Sequence, residues 1–217
     1  MRKHLFLLIS FLAFILLTGF IYLRSEKPLK NGDIVFIVNP SGQGKAIQLA
    51  TKSKYTHVGI VLIENGKTMV YHAVEPVSKN TFDEFVGMSA DGKYFIRRLK
   101  DQTLITEDAI KKMLTEAKSQ LGIHYDLGFN WNDEELYCSE FVWKLYNHAL
   151  GINIGQLRPL KDFDLSHPAV KDIMKKRYGK HIPYDEKMIS PGDMYDSELL
   201  EYHKREHCYQ INKRNYV

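Results

Sequence analysis

A cysteine that opens a helical repeat, and two histidines on one hairpin, have the types and spacing that can do chemistry in this chain. From Cys138 onward apolar residues fall at Phe141, Val142, Leu145, Tyr146 and Ala149, with Gly151 as a stop, which is helical spacing with a C-terminal cap. A thiol at a helix N-terminus faces unpaired backbone N–H groups and the positive end of the macrodipole. That position lowers a thiol pKa, and the thiolate is the nucleophile. Alone, Cys138 reads equally well as a buried structural cysteine.

The histidines change that balance. Asn65-Gly66 separates two β-rich runs, His57 to Glu64 and Lys67 to Val74, and such a dipeptide marks a two-residue hairpin loop. Glu64 then faces Lys67 and Gly59 faces His72. Alternation puts His57 and His72 on one face as a diagonal pair, roughly 7–8 Å apart. A thiol, a base at His57 and a third group at His72 behind the base make the general acyl-transfer arrangement. The oxyanion of such a reaction is best held by backbone N–H donors, the Cys138 amide first. Tyr55 is a candidate for a further hydroxyl. Tyr55, Tyr125 and Tyr137 are the candidate substrate-binding residues, and the aromatic stretch from Tyr125 to Trp131 is expected to wall the thiol. His57 and His72 read, on the bland alternative, as packed core rings.

Other patterns are weaker. Gly42-Gln43-Gly44-Lys45 suggests a phosphate loop, but Asn39 and Ala46 stand where the motif needs Gly and Ser or Thr. His203 and His207 are spaced to share a helix face, although a solvated terminal helix explains them better. No metal and no cofactor is expected.

The positioning elements follow from pattern. Ile34 to Val38 reads as a buried strand, Gln43 to Lys52 as a short helix, Thr81 to Val86 as a helix capped by Thr81, and Tyr94 to Leu99 as a strand. Thr106 to Leu121 and Pro168 to Lys176 read as helices. A last helix is expected near Asp196, carrying Leu199, Leu200 and Tyr202.

The chain has 217 residues and a net charge of +4. Of its 30 Lys and Arg, three (Arg2, Lys3, Arg24) lie in the first 24 residues, which hold no acid; the other 27 face 26 Asp and Glu. A nearly neutral body argues against nucleic acid as a partner. Two cysteines, Cys138 and Cys208, make no disulfide framework. Leu5 to Leu23 is 19 residues without a charge, close to the roughly 20 that a spanning helix needs. Residues 1–24 are therefore read as the single-span anchor of a cell-membrane protein, or a signal segment, with residues 25–217 a catalytic domain on the extracytoplasmic side, secreted if the segment is cleaved, that ends in a helical tail. The oligomeric state is not legible.

Five blocks together resemble the YiiX-like permuted papain-like amidases, circularly permuted relatives of NlpC-type peptidases. They are Gly32-Asp33-Ile34-Val35-Phe36, Tyr55-Thr56-His57-Val58-Gly59-Ile60-Val61, Val70-Tyr71-His72-Ala73, Leu121-Gly122-Ile123-His124-Tyr125-Asp126 and Tyr137-Cys138-Ser139-Glu140. The resemblance implies an α+β fold, an antiparallel sheet packed on helices, with the histidine strand before the cysteine helix. It implies Cys138 as nucleophile, His57 as base, and His72 at a third position where a carboxylate is the common occupant. The expectation is a cysteine-nucleophile amide hydrolase acting through a thioester on a peptide or acyl-amide substrate, such as a cell-envelope peptide. The rivals are a lipid acyltransferase or esterase using the same pair, and a non-catalytic binding module.

Overall fold

The computed structural model describes residues 28–208, with the side chains of 204–208 excepted. The expected N-terminal anchor and the final residues lie outside this range. Among the described residues no helix is long and apolar enough to cross a membrane.

The frame is a six-stranded sheet in the order β4-β3-β2-β1-β5-β8, antiparallel throughout. Its members are β1 (Ile34–Ile37), β2 (His57–Glu64), β3 (Lys67–His72), β4 (Ser78–Thr81), β5 (Lys93–Leu99) and β8 (Leu200–Cys208). A small pair, β6 (Arg158–Pro159) and β7 (Lys187–Met188), stands apart. The helices are α1 (Gly42–Thr51), α2 (Phe82–Gly87), α3 (Glu107–Ser119), α4 (Cys138–Leu150), α5 (Pro168–Tyr178) and α6 (Pro191–Tyr195).

The hairpin register is the expected one, running from Glu64↔Lys67 to Ile60↔Tyr71. Asn65 and Gly66 both have positive φ, 49° and 76°, as this loop type requires. Val58, Ile60 and Leu62 face the larger core with Phe141, Val142 and Leu145 of α4. Val61 and Val70 face a smaller core under Phe85 and Val86 of α2. Alternation assigns His57 and His72 to the α2 side.

Local chemistry sets the helix starts. Ser41 Oγ accepts from Gly44 N at 2.9 Å, Thr81 and Glu84 form a capping box, and Thr106 Oγ1 accepts from Ala109 N at 3.1 Å, each meeting an orphan N–H of a first turn. Asp33 is structural. Its buried carboxylate takes Arg98 Nε at 2.6 Å and Nη2 at 2.7 Å, while Tyr146 donates to the Gly32 carbonyl from α4.

Three expectations fail. The last element is strand β8, not a helix from Asp196; β5 has an open edge, and the chain from Leu200 pairs along it from Leu99↔Leu200 to Lys93↔Cys208. On a strand the His203/His207 helical spacing disappears, because four residues then span roughly 13 Å. Tyr55 is a core ring behind the site, with centroids 5.5 Å from Phe36, 5.1 Å from Phe95 and 4.0 Å from Tyr195. It lines neither cavity described below.

Candidate active site

The site gathers at the start of β2, an interior strand of the sheet. β2 begins with His57, and α4 packs across β2 and begins with Cys138. Cys138 is a free thiol, 2% exposed. Burial pushes it above its ordinary pKa, against the backbone N–H groups of Val58 and Ser139 and the Tyr125 hydroxyl, which favour the thiolate. The helix-start expectation of a lowered pKa is thus reversed: removal from water outweighs a few dipoles.

His57 and His72 meet as the register requires. His57 Nε2 lies 2.8 Å from His72 Nδ1, closer than the strand diagonal because both rings reach toward each other. His72 Nε2 lies 2.9 Å from Asn80 Oδ1, and Asn80 Nδ2 donates to Glu84 Oε2 at 3.5 Å. These contacts assign the protons by network. Glu84 takes the Asn80 amide nitrogen, so the Asn80 oxygen faces His72. His72 is then the Nε2–H tautomer and offers its Nδ1 lone pair to His57 Nε2–H. The lone pair of His57 is left on Nδ1. Phe85 backs both rings, stacked 5.6 Å from His57 and edge-on 5.0 Å from His72. Burial, joined for His57 by the repulsion a protonated His72 would exert, holds both imidazoles below their ordinary pKa; the Asn80 hydrogen bond opposes this at His72.

The structure therefore joins His57 to His72 directly, and joins Cys138 to the backbone next to His57 rather than to its ring. The thiol and the His57 ring line adjacent cavities of about 100 Å³ and 260 Å³ that share Gln43, Ile47 and Tyr125. Gln43 Nε2 donates to the Tyr125 hydroxyl at 3.1 Å where the two meet. Tyr125 and Tyr137 both line the thiol cavity. The Tyr137 hydroxyl accepts from Ile189 N at 3.1 Å. Phe129, not Trp131, completes that wall; Trp131 packs edge-on against Trp143, 5.2 Å away.

Sequence reasoning missed Asn80, Gln43 and Phe85. Asn80 sits in Ser78–Thr81, too polar to read as a strand, which pairs with β3 as an edge. Gln43 lies in the stretch dismissed as a phosphate loop. At Gly59 a Cβ would meet Val70 Cγ1 at 2.6 Å, Phe85 Cε2 at 3.0 Å and Tyr71 O at 3.1 Å. Its bareness protects sheet packing, and a valine there damages the fold before it reaches His72.

Comparison with known proteins gives the family. Residues 28–202 match the family described as permuted papain-like amidase enzyme, YaeF/YiiX, C92 family. The chain belongs to this amidase family. The uncharacterized protein YiiX of Escherichia coli (strain K12) is 42% identical over 171 residues, covering 79% of this chain and 84% of that protein. A crystal structure described as metalloprotein yiiX from Escherichia coli O157:H7 superposes with a TM-score of 0.76 at 41% identity, covering 80% of this chain and 95% of that one. The α+β architecture is thus that of the permuted papain-like amidases, and membership carries cysteine-type amidase chemistry at the level of the family.

Proposed function

We propose that this amidase-family chain hydrolyses an acyl amide through a thioester on Cys138, with His57 as general base, His72 and Asn80 as positioning residues, and the Cys138 amide with the Gln43 side chain as oxyanion donors. The single supporting observation is the directed hydrogen-bond series from Asn80 through His72 to His57, which leaves a bare lone pair on His57 Nδ1. Both partners rest neutral, since burial raises the thiol and lowers the imidazole. The proton then moves from Sγ to Nδ1 as Sγ attacks, a contact that substrate binding has to bring together. The C–N bond breaks as Nδ1 returns the proton to the departing amine. Water, deprotonated by the same nitrogen, then cleaves the thioester.

The description of the Escherichia coli structure as a metalloprotein finds no fitting donor set here. Among the described residues no group of three or more His, Cys, Asp or Glu converges, and the facing nitrogens of His57 and His72 are spent on each other.

Single-turnover mass spectrometry with an acyl-amide substrate tests the reading. Wild type should carry an acyl group on Cys138, Cys138→Ala none, and His57→Ala should form it about 10²–10⁴-fold more slowly. An adduct that persists in Cys138→Ala ends the mechanism.

A further inference from the structure

The hydrogen-bond series behind His57 has a direction that its own members cannot set. A neutral imidazole offers one donor and one acceptor, and the Asn80 amide offers an oxygen on one side and a nitrogen on the other. The contacts of 2.8 Å between His57 and His72 and 2.9 Å between His72 and Asn80 can therefore be strung either way. Glu84 lacks that freedom, because an ionised carboxylate only accepts. It is exposed yet pinned. Its Oε2 accepts from Thr81 N at 2.8 Å, from Thr81 Oγ1 at 2.9 Å and from Asn80 Nδ2 at 3.5 Å. These bonds hold the carboxyl below its ordinary pKa. The Thr81 contacts belong to the capping box of α2, and they fix the oxygen that Asn80 meets. The Asn80 contact is long, but it still excludes the flipped amide, which would set two acceptor oxygens against each other.

We infer that Glu84 is a positioning residue that sets the proton order of the relay: its acceptor oxygen turns the Asn80 oxygen toward His72, places the proton of each imidazole on Nε2, and so keeps Nδ1 of His57 bare. A donor in its place reverses every member. Asn80 then turns its oxygen to that donor and its nitrogen to His72 Nε2. His72 carries its proton on Nδ1 and donates it to His57 Nε2. His57 carries its own proton on Nδ1, with no lone pair for the Cys138 proton. Phe85, the residue after Glu84, packs on both rings. The ring planes therefore stay, and only the protons and the Asn80 amide exchange places. A change at the surface thereby reaches a base that is 6% exposed without touching it. The proton order stands on the hydrogen bonds alone. Its effect on rate rests on the thioester reading above, with His57 as base.

Nitrogen NMR of the full chain with isotope-labelled histidine tests it, since protonated and bare ring nitrogens resonate far apart; His57→Gln and His72→Gln assign the two rings. Wild type should show both rings protonated on Nε2. So should Glu84→Gln, which keeps an acceptor oxygen and the capping box. Glu84→Lys should show both protonated on Nδ1. Glu84→Ala, which removes the acceptor without adding a donor, should show a mixture. On an acyl-amide substrate Glu84→Gln should keep the wild-type kcat, and Glu84→Lys should lose about 10²-fold, the lower end of what a general base supplies. Wild-type tautomers in Glu84→Lys and Glu84→Ala overturn the inference, whatever the rates. Reversed tautomers with an undiminished rate leave the proton order standing and overturn His57 as the base. Equal rate losses in Glu84→Gln and Glu84→Lys, with tautomers unchanged in both, make Glu84 merely structural and overturn the inference as well.

Discussion

Two buried polar networks flank Cys138, and they resolve burial in opposite ways. The relay of His57, His72 and Asn80 carries no formal charge at neutral pH. The cluster on α4 is charged: Lys144 Nζ lies 2.8 Å from Glu140 Oε1 and 2.7 Å from Asp133 Oδ1, donates to the Asn132 carbonyl, and sits 5.3 Å from the Trp131 ring centre. It fastens the loop before Cys138 to the helix that Cys138 starts. Its Glu140 contact is a charge pairing off the hydrogen-bonding direction, so that oxygen has no hydrogen bond. Burial raises Glu140 from 4.5 to about 7, against the pull of Lys144. The contrast separates two roles. A neutral relay keeps a lone pair that can take a proton and return it. A charged cluster holds geometry, and loses it when one partner goes.

Removing a partner should therefore hurt the cluster most. Lys144→Met strands Glu140 and should cost roughly 3–5 kcal/mol of stability at neutral pH, whereas Lys144→Met with Glu140→Leu should recover most of it. Urea unfolding of the two variants decides; equal losses would mean that the pair is not coupled.

The pH response should separate the networks next. The folded pKa of each relay imidazole is lowered, so the unfolded chain binds protons that the relay refuses. Their contribution is full above the ordinary 6.5 and drains as pH falls below it. Glu140 is raised to about 7; its contribution is full below the ordinary 4.5 and is lost as pH rises through 7. The slopes oppose each other in the wild type between 4.5 and 6.5. Glu140→Gln removes its share, on the order of 3 kcal/mol, and should expose a steeper acid loss in denaturant unfolding followed over that range. An unchanged slope would put the titration elsewhere.

The smallest effect belongs to the end of the relay. Asn80→Ala frees His72 to change tautomer and should lower kcat about tenfold, near the value of one hydrogen bond of ~1 kcal/mol, with KM unmoved. Asn80→Asp keeps an acceptor oxygen and should restore much of the rate. Loss of stability without that rescue would make Asn80 merely structural.

Much of this was legible because it is local. The Asn65-Gly66 turn fixes a register, and the register brings His57 to His72. Apolar spacing after Cys138 and the stop at Gly151 fix the helix that begins with the thiol. Other parts were not. Ser78–Thr81 is a strand only because β3 offers it an edge, and that edge delivers Asn80. Leu200–Cys208 is a strand rather than a helix because β5 is otherwise unpaired on that side. Tyr55 looked like a site residue because an aromatic beside His57 reads alike in a cleft and in a core.

Sequence alone, then, singled out Cys138, His57 and His72 as candidates and fixed the hairpin and helix that hold them, since turn and helix signals act over a few residues. The protonation of Cys138 and the tautomers of His57 and His72 were decided by tertiary structure. Burial and hydrogen-bond direction arise from segments far apart in the chain, and short-range pattern does not contain them.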